Sequence, residues 1–185
     1  MPQRVLKFIT GNQGKFEEVQ KALLPIKVIQ IKADLEEIQE IDPQKVIEHK
    51  LKEAKKRFKG EILIEDTSGF FQGFKGKLPG PFIKWFLEVL EPEGLYKLAK
   101  STGNVNAEFK SIFGYSDKFG KIKYFEASIF GTMVKPRGHG GFGLDPVFLP
   151  KGSSKTLAEL KEQTLPESSM RFLAALKLKA YLLKH

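Results

Sequence analysis

Apolar positions along this chain follow two spacings, one of strands and one of helices. Val5-Leu6-Lys7-Phe8-Ile9-Thr10 is a short apolar run closed by Gly11-Asn12, which predicts a first, buried strand. Phe16, Val19, Leu23 and Leu24 then recur at helical spacing until Pro25. Val28-Ile29-Gln30-Ile31 predicts a second strand, followed by an acidic loop from Asp34 to Glu40. Asp42-Pro43 supplies an N-cap and a first-turn proline for a helix through about Phe58. Gly60 ends it, and Ile62-Leu63-Ile64 is a third strand running into Glu65-Asp66-Thr67. This β-α-β-α-β order predicts α/β layering with at least partly parallel pairing.

The middle of the chain changes character. Gly69, Gly73, Gly76 and Gly80, with Pro79 and Pro81, predict that 67–80 is mostly loop. Phe82 to Leu90 and Gly94 to Lys100 read as two short helices separated by Pro92. Phe109 to Tyr115 and Ile122 to Val134 alternate as strands of a hairpin turning at Asp117-Lys118-Phe119-Gly120. A glycine-rich loop from Pro136 to Asp145 leads to a short strand at Pro146–Leu149, and helices at Thr156–Glu162 and Ser168–Lys184 complete the chain. The expected architecture is α/β: a mixed, elongated central sheet flanked by helices, one domain over 1–185 with two lobes and a cleft between them.

Composition narrows the class. Of 185 residues, 41% are apolar and 29% charged, which suits a globular protein rather than a disordered one. No apolar run approaches the roughly 20 residues a bilayer span needs, and charges within the first apolar stretch argue against a secretory leader. Cysteine is absent, which excludes disulfides, thiolate metal sites and a cysteine nucleophile, and fits a cytoplasmic location. The net charge of +9 favours phosphate-bearing ligands and keeps nucleic acid as an alternative partner to nucleotides.

Two glycine patterns are decoys. Gly138-His139-Gly140-Gly141-Phe142-Gly143 fits the dinucleotide spacing, but Asp145-Pro146 and an extended run follow it instead of a helix. Gly11-Asn12-Gln13-Gly14-Lys15 is too short for a Walker loop. It reads either as a helix-start turn with a solvated Lys15 or as backbone N–H groups at a helix N-terminus with Lys15 beside them to meet phosphate oxygens. His49, His139 and His185 have no metal-ligand spacing, so any metal must be held by carboxylates, which favours magnesium. Glu65 and Asp66, at the end of a strand, lie where open α/β sheets bind ligands, with one side chain directed to each sheet face. Such carboxylates hold a metal against phosphates or take a proton from water; equally, they form a solvated strand end with Asp66 or Thr67 capping a turn. Lys15 and Glu37 also lie beyond strands, and convergence of the three places favours a metal–phosphate site.

Four segments occur in register: Thr10-Gly11-Asn12-Gln13-Gly14-Lys15, Glu65-Asp66-Thr67, Leu78-Pro79-Gly80-Pro81-Phe82-Ile83-Lys84-Trp85-Phe86-Leu87 and Gly141-Phe142-Gly143-Leu144-Asp145-Pro146. Together they resemble the inosine triphosphate pyrophosphatase family over essentially the whole chain, and the third especially resembles its eukaryotic branch. The resemblance implies hydrolysis of ITP, dITP and XTP to a nucleoside monophosphate and pyrophosphate, with Mg²⁺ as cofactor, Mn²⁺ as its substitute, and a homodimer. It implies that Thr10, Gly11, Asn12, Gln13, Gly14 and Lys15 wrap the triphosphate, that Glu37 (or its neighbour Glu36) and Asp66 hold the metal, and that Asp66 and Lys15 are catalytic. Lys50, Thr67 and Lys84 fall at nucleotide-contacting positions, and Phe142, Gly143, Leu144 and Asp145 at base-binding ones.

The departures gather on the base side. The family's Ser-His-Arg is Ser169-Met170-Arg171 here, which leaves Arg171 as the expected main reader of the purine keto group. Leu144 replaces an aromatic residue and Leu165 a nucleotide-contacting lysine. Losing a donor to a keto group relaxes selectivity that reaches roughly 10⁴-fold in favourable sites. The expectations are therefore a pyrophosphatase with strict or broadened base choice, or a nucleotide- or RNA-binding protein of the same fold without turnover.

Overall fold

The computed structural model describes residues 4–163 and 169–185. Leu165 lies outside the described residues. The α/β class is observed, with pairing that is parallel in one part and antiparallel in another. The chain forms two compact units. One contains residues up to Asp66, Ser111–Ala127 and Arg171–His185; the other contains Thr67–Lys110 and Ser128–Met170.

In the first unit, β1 (Val5–Ile9) pairs in parallel with β2 (Lys27–Ile31) on one side and with β3 (Ile62–Phe71) on the other. Next to β3 come β5 (Asn106–Ser116) and β6 (Ile122–Met133). Helix α1 (Gln13–Leu23) starts on an Asn12 N-cap, whose side chain accepts the Lys15 N–H at 2.9 Å. Helix α2 (Pro43–Arg57) starts on Asp42, as its Asp-Pro pair predicts. Strand alternation sorts the core into two layers. Leu6, Phe8, Leu63 and Phe113 pack with Val19 and Leu23 of α1 and with Ala175 and Leu178 of α5 (Met170–Leu182). Ile62, Ile64 and Ile112 pack on the other layer with Ile47, Leu51 and Ala54 of α2. Gly114 permits that close approach, since a Cβ there would meet Ile47 Cγ2 at 2.3 Å.

In the second unit, β4 (Pro79–Gly80) pairs with the end of β3, and β7 (Phe148–Pro150) with the end of β6, both antiparallel. The expected loop over 67–80 is therefore corrected in its first part: β3 continues to Phe71. Gly69 is glycine because the ring of Phe109 stands beside it, 2.6 Å from where a Cβ would be, and not because the chain turns there. Helix α3 (Ile83–Ser101) is broken at Glu91, whose φ is 57°, immediately before Pro92; this reproduces the two expected helices. Helix α4 (Leu157–Glu162) opens with a Thr156–Glu159 capping box. The core here joins Phe71, Phe109, Phe148, Leu144, Leu157 and Met170. No helix among the described residues is long and apolar enough to cross a membrane.

Candidate active site

The adjacent acids of β3 separate by parity. Glu65 shares the face of Leu63 and meets α1 and α5; Asp66 shares the face of Ile64 and meets α2. Glu65 has a fully buried side chain. Lys15 Nζ lies 2.8 Å from its Oε2, Arg171 Nε 3.2 Å from its Oε1, and the Ser111 hydroxyl donates to Oε1 at 2.7 Å. Arg171, itself 3% exposed, also donates from Nη1 to Glu18 Oε2 at 2.9 Å. A chain of charges thus runs from Glu18 through Arg171 and Glu65 to Lys15. Burial alone would raise the Glu65 carboxyl, but Arg171, Lys15 and the Lys15 and Ser111 hydrogen bonds hold it well below the usual carboxylate range.

On the other face, Lys50 Nζ lies 2.5 Å from Glu37 Oε1 and 3.5 Å from Asp66 Oδ1. Two carboxylates, one from the loop after β2 and one from β3, therefore converge on a single cation, and Glu37 rather than Glu36 makes the contact. Burial pushes Asp66 up to about 6, against the opposing pull of Lys50 and Lys15. Burial also works against the charge on Lys50, but the facing carboxylates of Asp66 and Glu37 raise it above its ordinary value.

The rest of the 10–15 segment forms a compact turn. Thr10 Oγ1 accepts the Asn12 N–H at 3.1 Å, and Gln13 Nε2 donates to Glu17 at 2.9 Å. A Cβ at Gly11 would meet nothing within 4 Å, so there is open space beside that residue. Gly14 lies in the first turn of α1. The structure places Glu37 and Asp66 against Lys50, and Lys15 against Glu65 on the other face of β3. Sequence reading named Glu65 with Asp66 as a candidate acid but gave it no partner, and it did not name Glu18 or Ser111. The alternation through Ile62–Ile64 could have placed Glu65 under α1, and Glu18 sits three residues after Lys15 on the same helix face.

In the second unit, Thr67 is half-buried on β3 directly after Asp66. Lys84 is exposed on α3, 3.9 Å from Glu88 and 5.2 Å from the Trp85 ring. Phe142 is half-buried, and its N–H donates to Asp145 Oδ2 at 2.7 Å. Gly143 has a φ of 63°. Leu144 is buried in the core with Val147 and Phe148, and Met170 is buried beside Leu157 in the same core. Arg171 stands inside the first-unit charge chain already described.

Whether the carboxylate pair suits a divalent ion follows from its donors. Magnesium is commonly held by one or two carboxylates together with waters and substrate phosphates, and seldom by an all-protein cage. Among the described residues no group of three acidic or histidine side chains gathers, while Glu37 and Asp66 already face a common cation. The donor set fits such an ion.

The sequence and the fold point to one group of relatives. A curated inosine triphosphate pyrophosphatase of Schizosaccharomyces pombe is 38% identical over 177 residues, 95% of this chain and 93% of the relative. A HAM1 protein from Coxiella burnetii superposes with a TM-score of 0.80 at 20% identity, over 98% of this chain and 99% of that one. The Staphylococcus aureus Ham1 protein superposes with a TM-score of 0.78 at 22% identity and the same coverage. The Ham1 family model matches residues 6–181, the two acids of β3 and both lysines that face them included, and the chain belongs to the Ham1 family.

Proposed function

We propose that this chain is an Mg²⁺-dependent hydrolase that converts non-standard purine nucleoside triphosphates, ITP, dITP and XTP, to the nucleoside monophosphate and pyrophosphate. The observation that carries the reading is the convergence of Glu37 and Asp66 on Lys50, on the opposite face of β3 from the Lys15–Glu65 pair. The name of the Schizosaccharomyces pombe relative supports the substrate class.

The chemistry follows from charge. A triphosphate is drawn to Lys15, Lys50 and the N–H groups that open α1. Lys15 and Lys50 then offset negative charge that builds on the departing pyrophosphate as the α-phosphorus–oxygen bond breaks. Asp66 is positioned to accept the proton of the water that attacks the α-phosphorus, so that the new P–O bond forms as the old one opens. Glu37 and Asp66 would hold Mg²⁺, which when bound neutralises phosphate oxygens. Glu65 does not share these tasks. Locked between Arg171 and Lys15, it sets the position of Lys15.

The cysteine-free sequence supports a cytoplasmic location. A homodimer is supported by Trp85 and Val89, 56% and 78% exposed on α3, which a second copy would cover; light scattering of the wild type beside Trp85→Glu tests it, with a monomeric wild type as the refuting result.

Pyrophosphate release from ITP, dITP, XTP, dUTP, ATP and GTP tests the main reading. Release from the keto purines, abolished by a chelator and restored by Mg²⁺, is the expected result. Equal turnover of ATP and ITP would overturn the substrate class. No release from any triphosphate would overturn the activity, and nucleotide affinity in that case would identify a binding protein.

A further inference from the structure

The glycine-rich loop of the second unit is stapled to α4 by two neighbouring side chains. Lys161 Nζ lies 2.9 Å from Asp145 Oδ2 and 5.0 Å from the centre of the Phe142 ring. The same Asp145 oxygen accepts the Phe142 N–H at 2.7 Å. One residue on, Glu162 Oε1 accepts the His139 and Gly140 N–H groups. Gly141, with a φ of 77°, lies directly over the ion pair: a Cβ there would stand 2.1 Å from Asp145 Oδ2 and 2.8 Å from Lys161 Cδ. The Asp145 and Lys161 side chains are 5% and 13% exposed, so the pair is largely shielded from water.

We propose that Lys161 is the positioning residue of the nucleobase loop, fixing Phe142 and Asp145 in the arrangement that receives a purine; this rests on the reading above in which those two residues meet the base. The ammonium performs two tasks at once. Its ion pair fixes the Asp145 carboxylate, which in turn holds the Phe142 backbone, and its contact with the ring fixes the ring plane. A base then meets a surface whose ordering cost was met on folding. The resemblance implies a nucleotide-contacting lysine at 165, where this chain has Leu165. Lys161, four residues earlier, gives the loop a cation from α4. Because it acts on the base-facing residues and on no reacting phosphate, its removal weakens ligands that carry a base and spares those that do not.

The experiment uses two ligands that the proposed reaction leaves uncleaved: IMP, which carries the base, and inorganic pyrophosphate, which lacks it. Both are titrated calorimetrically into the wild type, Lys161→Met and Lys161→Arg, with melting curves to confirm folding. Lys161→Met should weaken IMP about 30-fold or more, the lower end for truncating one member of a shielded charge pair, and leave pyrophosphate within about twofold. Lys161→Arg should recover most of the loss. Lys161→Gln, which keeps a donor without the charge, replaces the Met variant if that does not fold. Equal weakening of both ligands would show a general structural role and overturn the proposal. So would unchanged IMP binding, or a wild type that does not bind IMP. Pyrophosphate release from ITP is read separately, so its absence would remove the proposed activity while leaving the IMP comparison intact.

Discussion

Replacing Arg171 with Met tests the charge chain of the first unit. Arg171 is the shared cation of Glu18 and Glu65, at 2.9 and 3.2 Å, and all three side chains are nearly or fully buried. Met keeps much of the volume but leaves two carboxylates facing each other across an apolar side chain, with Lys15 and the Ser111 hydroxyl still beside Glu65. Removing one partner of a buried pair costs about 3–5 kcal/mol, because the other charge stays desolvated. At about 2–4 °C per kcal/mol for a chain of this size, the melting temperature should fall by roughly 6–20 °C at pH 7. The pH dependence gives the second readout. In the wild type the folded pKa of Glu65 lies below its unfolded value, so its contribution is complete above about pH 4.3 and is lost as pH falls through the folded value. Without Arg171 the largest of the opposing charges is gone, and the folded pKa of Glu65 moves upward. On acidification the variant then loses less of this contribution than the wild type does. The gap between the two melting temperatures should therefore narrow from pH 7 to pH 4, followed by circular dichroism. A gap under about 2 °C at pH 7, or one that is constant across that range, would refute the reasoning.

Asp66→Asn should lower pyrophosphate release by about 10²-fold or more, the usual scale for a general base. Its melting temperature should be unchanged or raised at pH 7, because burial makes the Asp66 carboxylate costly in its charged form. Gly131→Ala should destabilise by about 1–3 kcal/mol, since its Cβ would stand 2.1 Å from the Leu149 carbonyl oxygen and force β6 from β7; a melt within 1 °C of wild type would contradict this. Met170→His should raise the ITP-to-ATP ratio of kcat/KM by restoring a donor. It should also lower stability by about 1–3 kcal/mol, because the imidazole enters an apolar core. An unchanged ratio would count against the donor reading.

The fold was legible wherever local rules governed it. Asn12 and Asp42 mark helix starts by side-chain capping, Pro92 marks a break, and Asp117–Gly120 marks a turn, all with physics contained in a few residues. The extension of β3 through Gly69 was not legible, because the reason for that glycine is the ring of Phe109, forty residues away. The site divides in the same manner. Lys15, Glu37 and Asp66 were visible as strand-end residues and Lys50 through the family resemblance, but the burial of Arg171 between Glu18 and Glu65 depends on how α5 packs on the sheet. Nothing local marks Lys161, because its partner Asp145 lies sixteen residues away.

The opposite fates of two neighbouring acids on β3 carry a constraint on how this chain can vary. Inserting or deleting a single residue between Ile62 and Glu65 would exchange their environments, sending the Lys50-facing carboxylate toward Arg171 and the locked one toward Lys50. A change of two residues would preserve odd and even, and with them the division of labour. The length of this strand before the acids is therefore countable only in pairs.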